Sequence, residues 1–173
     1  MGFSLIQPLI IGLPRSRTAW LSVFMSQSGT YFYHEGINGC KSLPEYKEKI
    51  AGCGDSSTGL LSLGVDVVSK SKVVVIIKNK KEIEDCISWC DKSYNVDSRS
   101  FILDLQNKLL NVDGLIIKQS EINDRLKDIW CYLTDAQWDD KYKRLAELNI
   151  QAKSTAIDKE AAILLYESIQ QNT

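Results

Sequence analysis

The run Val73–Ile77 constrains this chain most. It is five residues long, wholly apolar and wholly β-branched. Such a run has no polar side to turn to water, so it fits a strand covered on both faces, as at the centre of a parallel sheet. The next segment has a different period. Ile83, Cys86, Ile87 and Cys90 recur at i, i+3, i+4 and i+7, the spacing of an amphipathic helix. A strand buried on both faces and succeeded by a helix is the unit of an α/β fold.

The same alternation runs along the chain. Leu9–Ile11 is a short apolar run, and Trp20, Leu21, Phe24 and Met25 then fall on one helical face. Thr30–Tyr33 is aromatic and β-branched, which predicts a second strand. Ser42, Pro44 and Glu45 read as a capping box with proline early in a helix reaching about Ile50. A short third strand is expected within Ala51–Gly59, ending around Cys53–Ser57, and a helix over Leu60–Val68. Phe101, Leu105 and Leu109 mark a further helix, and Leu115–Ile117 a last strand. Ser120 caps a helix through Leu133, and Thr134 and Gln137 open one carrying Trp138, Tyr142, Leu145 and Leu148. A tail stripe of Ile157, Ala161, Leu164, Leu165 and Ile169 closes the chain; it can pack on the body or on a second copy, as in a homodimer. The expectation is one α/β domain over 1–173, a three-layer αβα architecture with a mainly parallel sheet, its core in 8–150 and a C-terminal helix in 151–173.

In such sheets ligands sit beyond the carboxyl ends of the strands. The first of those ends is Gly12–Thr18, where Arg15, Ser16, Arg17 and Thr18 lead directly into the first helix. Unpartnered amides at a helix start, the helix dipole and two guanidinium forks together suit an oxyanion. The other ends carry His34 and Glu35, then Asp55 to Ser57, Lys78 to Lys81 and Lys118. Net charge is −1, which argues against a nucleic-acid partner and leaves anion binding to a local site. The five cysteines show no Cys-x-x-Cys spacing and there is one histidine, so no metal is expected and the cysteines read as reduced apolar residues. With no secretory signal and no membrane-length apolar run, the expected location is cytoplasmic and no membrane partner is expected.

The loop is nearly a Walker A sequence, but Arg17 stands where the second glycine belongs and Thr18 where the lysine belongs, which argues against an ordinary nucleotide kinase or other P-loop phosphotransferase. Pro14-Arg-Ser-Arg-Thr-Ala-Trp-Leu21 instead resembles the 5'-phosphosulfate loop of sulfotransferases, P-[KR]-S-G-T-[TS]-x-[LW]. Gly54–Ser57, Ile77–Glu82, Leu115–Glu121, Ile129–Leu133 and Arg144–Asn149 resemble that family's later segments in order. The resemblance implies a P-loop sulfotransferase fold in a short variant. It implies sulfuryl transfer from 3'-phosphoadenosine 5'-phosphosulfate, the nucleotide co-substrate, to a small-molecule hydroxyl or amine acceptor that the sequence does not name. Arg15, Ser16, Arg17, Thr18 and Ala19 would hold the 5'-phosphosulfate, Trp20 would stack on adenine, and Lys78 would pair with the 3'-phosphate. Glu35 would be the general base, with His34 as the alternative. Two departures stand out: Arg17 replaces a glycine, and the family's 3'-phosphate pair of arginine and serine is here Lys78 and Cys86. A noncatalytic nucleotide- or protein-binding module on the same fold is the competing reading.

Overall fold

The computed structural model describes residues 7–143. Five strands form one sheet in the order β2-β3-β1-β4-β5. They are β1 (Pro8–Gly12), β2 (Phe32–His34), β3 (Gly54–Ser57), β4 (Lys72–Ile77) and β5 (Leu115–Lys118), and every pairing is parallel. The helices are α1 (Thr18–Ser26), α2 (Leu43–Lys49), α3 (Lys80–Tyr94), α4 (Arg99–Leu110) and α5 (Leu126–Leu133). This is the expected three-layer αβα arrangement with a parallel sheet.

The strand alternation assigns the layers. Leu9, Ile11, Val73 and Val75 point to one side and pack with α2, α3 and α4 through Tyr46, Ile87 and Leu105. Ile10, Val74, Ile76 and Ile117 point to the other and pack with α1 and α5 through Trp20, Phe24, Ile129 and Trp130. Val73 to Ile76 are all within 1% of full burial, as their sequence demands. Each such side chain contributes about 1.5–3 kcal/mol to folding.

β3 is the unusual strand. Its residues are Gly, Asp, Ser and Ser, and all four are buried between β2 and β1. A buried polar group left without a partner costs about 1–3 kcal/mol. Here each side chain finds one far away in sequence: Asp55 accepts from Gly36 N and Tyr46 Oη, Ser56 Oγ donates to Thr18 O, and Ser57 Oγ donates to Glu35. Thus residues expected to form a strand end and hydroxyl-rich turn are the strand itself.

Other expectations shift. Residues 60–68 form two 3-10 turns, Leu60–Leu63 and Val65–Val68, separated by Gly64 at φ 112°, rather than a helix. After β5 comes a 3-10 turn at Gln119–Glu121, and α5 begins only at Leu126. No helix opens at Thr134; its hydroxyl accepts from Ala136 N, and a 3-10 turn covers Asp140–Lys143. Trp138 and Tyr142 are drawn instead onto Trp130, at 5.9 and 4.4 Å between ring centroids. Leu145, Leu148, the segment 144–149 and the tail stripe of 151–173 lie outside the described residues. Among the described residues, no helix is long and apolar enough to cross a membrane.

Candidate functional site at the mouth of the first strand

β1 lies between β3 and β4, so the chain leaves it toward one side of the sheet and later returns on the other. The carboxyl end of such a strand opens into a crevice, the usual ligand position in α/β sheets. Residues 13–17 fill this place. The loop folds back tightly: Ser16 N donates to Leu13 O at 3.2 Å, and a Cβ on Gly12 would lie 2.9 Å from Ser16 Cβ. Only glycine fits there.

Two non-glycine residues of the loop, Arg15 at φ 66° and Arg17 at φ 61°, adopt the left-handed conformation. Arg17, which stands at the family's glycine, takes a glycine-like backbone and is the N-cap of α1. Left-handed residues alternating with ordinary ones curl successive amides inward into an anion-binding concavity. The first-turn amides of Thr18 and Ala19 have no intrahelical acceptor. Ser16 is fully buried, and its Oγ has no hydrogen-bond partner.

The two arginine side chains diverge. The Arg15 guanidinium lies 5.6 Å from the ring centroid of Trp89 on α3. Arg17 turns to the opposite layer, 4.3 Å over Trp20, and donates from Nη1 to Asn123 Oδ1 at 2.7 Å. The expected convergent pair is therefore absent. Trp20 is also corrected: it is 1% exposed and stacked on Phe24 at 5.2 Å, so no ligand base reaches its ring.

Lys78, at the end of β4, is buried and donates to Arg15 O at 3.1 Å and to Gln119 Oε1. Burial lowers its pKa, opposed by the nearby Cys86, Glu82 and Asp85. Cys86 Sγ donates to Pro14 O at 3.3 Å, and burial pushes its thiol pKa up to about 12. Both residues at the expected 3'-phosphate position thus hold loop carbonyls. Beside them opens a cavity of about 360 Å³ whose lining includes Arg15, Lys78 and Trp89.

On the other flank stand His34 and Glu35. Glu35, at φ 54°, accepts from Thr58 N and Thr58 Oγ1 at 2.6 Å each, from Ser57 Oγ at 2.8 Å and from Gly59 N at 3.3 Å. A carboxylate has about four acceptor positions, and four donors fill them here. Glu35 ties β2 to the turn after β3. His34 Nε2 is 3.4 Å from Thr18 Oγ1 and 3.8 Å from Glu35 Oε1. Its pKa is lowered by burial against the pull of Glu35, so the ring is neutral near pH 7, and its Nδ1 is buried without a partner. Behind them, Asp55 supports the turn at Gly36, and burial raises its carboxyl pKa to about 7.

The structure therefore sets Ser16, Thr18 and Ala19 in the β1–α1 connection, Arg15 and Lys78 on the cavity toward α3, and His34 and Glu35 at the end of β2, with His34 against Thr18. Sequence reasoning missed Trp89, whose signal was its place three residues after Cys86 on the same helix, and the clasp of Glu35 by Ser57 and Thr58. Among the described residues, no three His, Cys, Asp or Glu side chains are grouped to hold a metal ion. Compared with known proteins, the chain matches no family model, no curated protein and no solved structure.

Proposed function

We propose that the mouth between β1 and α1 binds the 5'-phosphosulfate of a nucleotide, and that the chain transfers the sulfuryl group to a hydroxyl or amine acceptor. The observation carrying this reading is Ser16: a fully buried hydroxyl without a partner, in a loop curled by two left-handed arginines at a helix start. A ligand oxyanion would accept from the Thr18 and Ala19 amides, with the Arg15 fork closing over it, and from the buried Ser16 hydroxyl once the loop opens to expose it. The resemblance gives 3'-phosphoadenosine 5'-phosphosulfate as donor; the loop chemistry itself requires only the 5' end.

In the transfer, the acceptor oxygen or nitrogen forms a bond to sulfur as the bond from sulfur to the bridging oxygen of the donor breaks. The leaving 5'-phosphate keeps the electron pair and stays in the loop, where donors aimed at its growing charge lower the barrier. The acceptor proton passes to a base. His34 suits this role better than Glu35, because its ring is neutral and its Nε2 faces Thr18 at the mouth, whereas Glu35 is held by four donors.

The saturated Glu35 also favours a second reading, a nucleotide-binding module without transfer. One experiment separates them. Titration calorimetry with adenosine 5'-phosphosulfate, adenosine 5'-monophosphate and adenosine 3',5'-bisphosphate should show binding of at least one, weakened about tenfold or more in Ser16→Ala and Arg15→Ala. Sulfuryl transfer from a labelled donor to a panel of hydroxyl and amine acceptors should then occur with the wild type and be lost in His34→Gln with binding kept. Binding without transfer to any acceptor supports the module; no binding at millimolar nucleotide overturns both.

A further inference from the structure

We propose that the nucleoside half of the ligand lies in the cavity beside Arg15, stacked on Trp89, and that this cavity selects a ribose with a free 3'-hydroxyl over one carrying a 3'-phosphate. The proposal rests on the nucleotide site at the β1–α1 mouth and narrows its ligand. Trp20 is sealed in the core, so the base needs another aromatic face. The cavity on the α3 side supplies one. It measures about 360 Å³ and is lined by Arg15, Lys78, Glu82, Asp85, Cys86, Trp89 and Gln119, whose side-chain oxygen is held by Lys78. That volume falls at the lower end of the range for small-molecule sites, about 300–1,000 Å³. Trp89 is half-buried and braced edge-on by Tyr94 at 5.7 Å, with the Arg15 guanidinium over its ring 5.6 Å from the centroid, where a base would slide in beside it. A braced, partly open indole beside an arginine is a stacking platform for a base.

The polar lining then decides the sugar. A 3'-phosphate needs cationic forks or hydroxyl donors. Lys78 has its ammonium on Arg15 O and Gln119, and the Cys86 thiol is turned to Pro14 O. The lining instead adds two carboxylates, Glu82 and Asp85, against the two cations Arg15 and Lys78. Carboxylates accept from ribose hydroxyls, and they repel a phosphate dianion brought into the same space.

The test compares two ligands that differ only at the 3' position. Calorimetry of the whole chain with adenosine 5'-monophosphate and adenosine 3',5'-bisphosphate should show the monophosphate binding about tenfold or more tightly. The double variant Glu82→Gln and Asp85→Asn should bring the two ligands within about threefold of each other; glutamine keeps the helix cap at residue 82, and Asp85 is exposed, so the fold is kept. Trp89→Leu should weaken both ligands about fivefold or more. Equal or tighter binding of the bisphosphate, still sensitive to Ser16→Ala, overturns this selectivity and leaves the nucleotide site standing. Unchanged affinities in Trp89→Leu overturn the placement of the base. Binding of neither ligand overturns the nucleotide site and the selectivity together.

Discussion

Lys78 places its ammonium on the carbonyl oxygen of Arg15, 3.1 Å away, across an interval of 63 residues. The strand-end cation therefore acts on the loop backbone, holding Arg15 in its left-handed turn. A charged hydrogen bond of this kind is worth about 1.5–3 kcal/mol. Lys78→Met should lower stability by about that amount and weaken nucleotide binding at the same time, since the curled amides lose their anchor. Urea unfolding and calorimetry on one variant check both. Unchanged stability with weakened binding would instead place Lys78 on the ligand.

Ser16 should behave in the opposite way. Its hydroxyl is buried and unpartnered, so its removal relieves a desolvation cost. Ser16→Ala should be about 1 kcal/mol more stable than wild type while binding nucleotide more weakly. A gain in stability together with a loss of binding is the signature of a group held ready for a ligand; a serine with a purely structural role would lose stability when truncated. Thermal unfolding with and without nucleotide provides the measurement.

The backbone of Arg17 gives a cleaner contrast. Its φ of 61° suits glycine, yet its side chain lies over Trp20 and bonds Asn123. Arg17→Gly and Arg17→Ala lose the same side-chain contacts and differ only in backbone strain. The glycine variant should be the more stable of the two by about 1 kcal/mol, by denaturant unfolding. Equal stability would mean that the left-handed turn carries no strain.

Much of this was legible in the residues. β1, β4 and β5 announced themselves as apolar runs, and α3 by its period, because burial on fixed faces leaves a local pattern. β3 left none. Gly54–Ser57 is a strand only because Tyr46, Gly36, Thr18 and Glu35 satisfy it from elsewhere, and no window of sequence contains those partners. The loop could be read as basic, but not that its two guanidinium groups part to opposite layers, which depends on Trp89 and Asn123 lying where α3 and the turn after β5 place them. Trp20 looked equally suited to a base or a core; Phe24 and the cap of Arg17 decided for the core. The failed helix at Thr134 has the same cause, since Trp130 recruits Trp138 and Tyr142 by tertiary contact against local propensity.

Glu35 can be tested as a clasp. Replacing its carboxylate by an amide turns an N–H₂ toward donors that previously found oxygen. Glu35→Gln should cost about 1–3 kcal/mol in urea unfolding, because Gly59 N and the Thr58 and Ser57 hydroxyls cannot all be satisfied. Normal stability with abolished transfer would return Glu35 to the role of base.

Asp55 makes stability depend on pH in a direction opposite to most carboxylates. Burial raises its folded pKa to about 7, from an ordinary value of 3.8 when exposed. Between those values the folded chain keeps a proton that the unfolded chain releases, so stability falls as pH rises from about 4 toward about 7 and levels above it. The full difference amounts to about 4 kcal/mol at most. His34 acts in the other sense: its lowered pKa removes stability as pH falls below 6.5, where the unfolded ring takes up a proton. Comparing wild type with Asp55→Asn cancels the histidine contribution. The asparagine can still accept from Gly36 N while its amide donates to Tyr46 Oη. The variant should therefore gain on the wild type steadily from pH 4 to pH 7 in urea unfolding and run parallel to it above about pH 8. A difference that does not change with pH would mean that Asp55 ionises in the folded chain as it does in water.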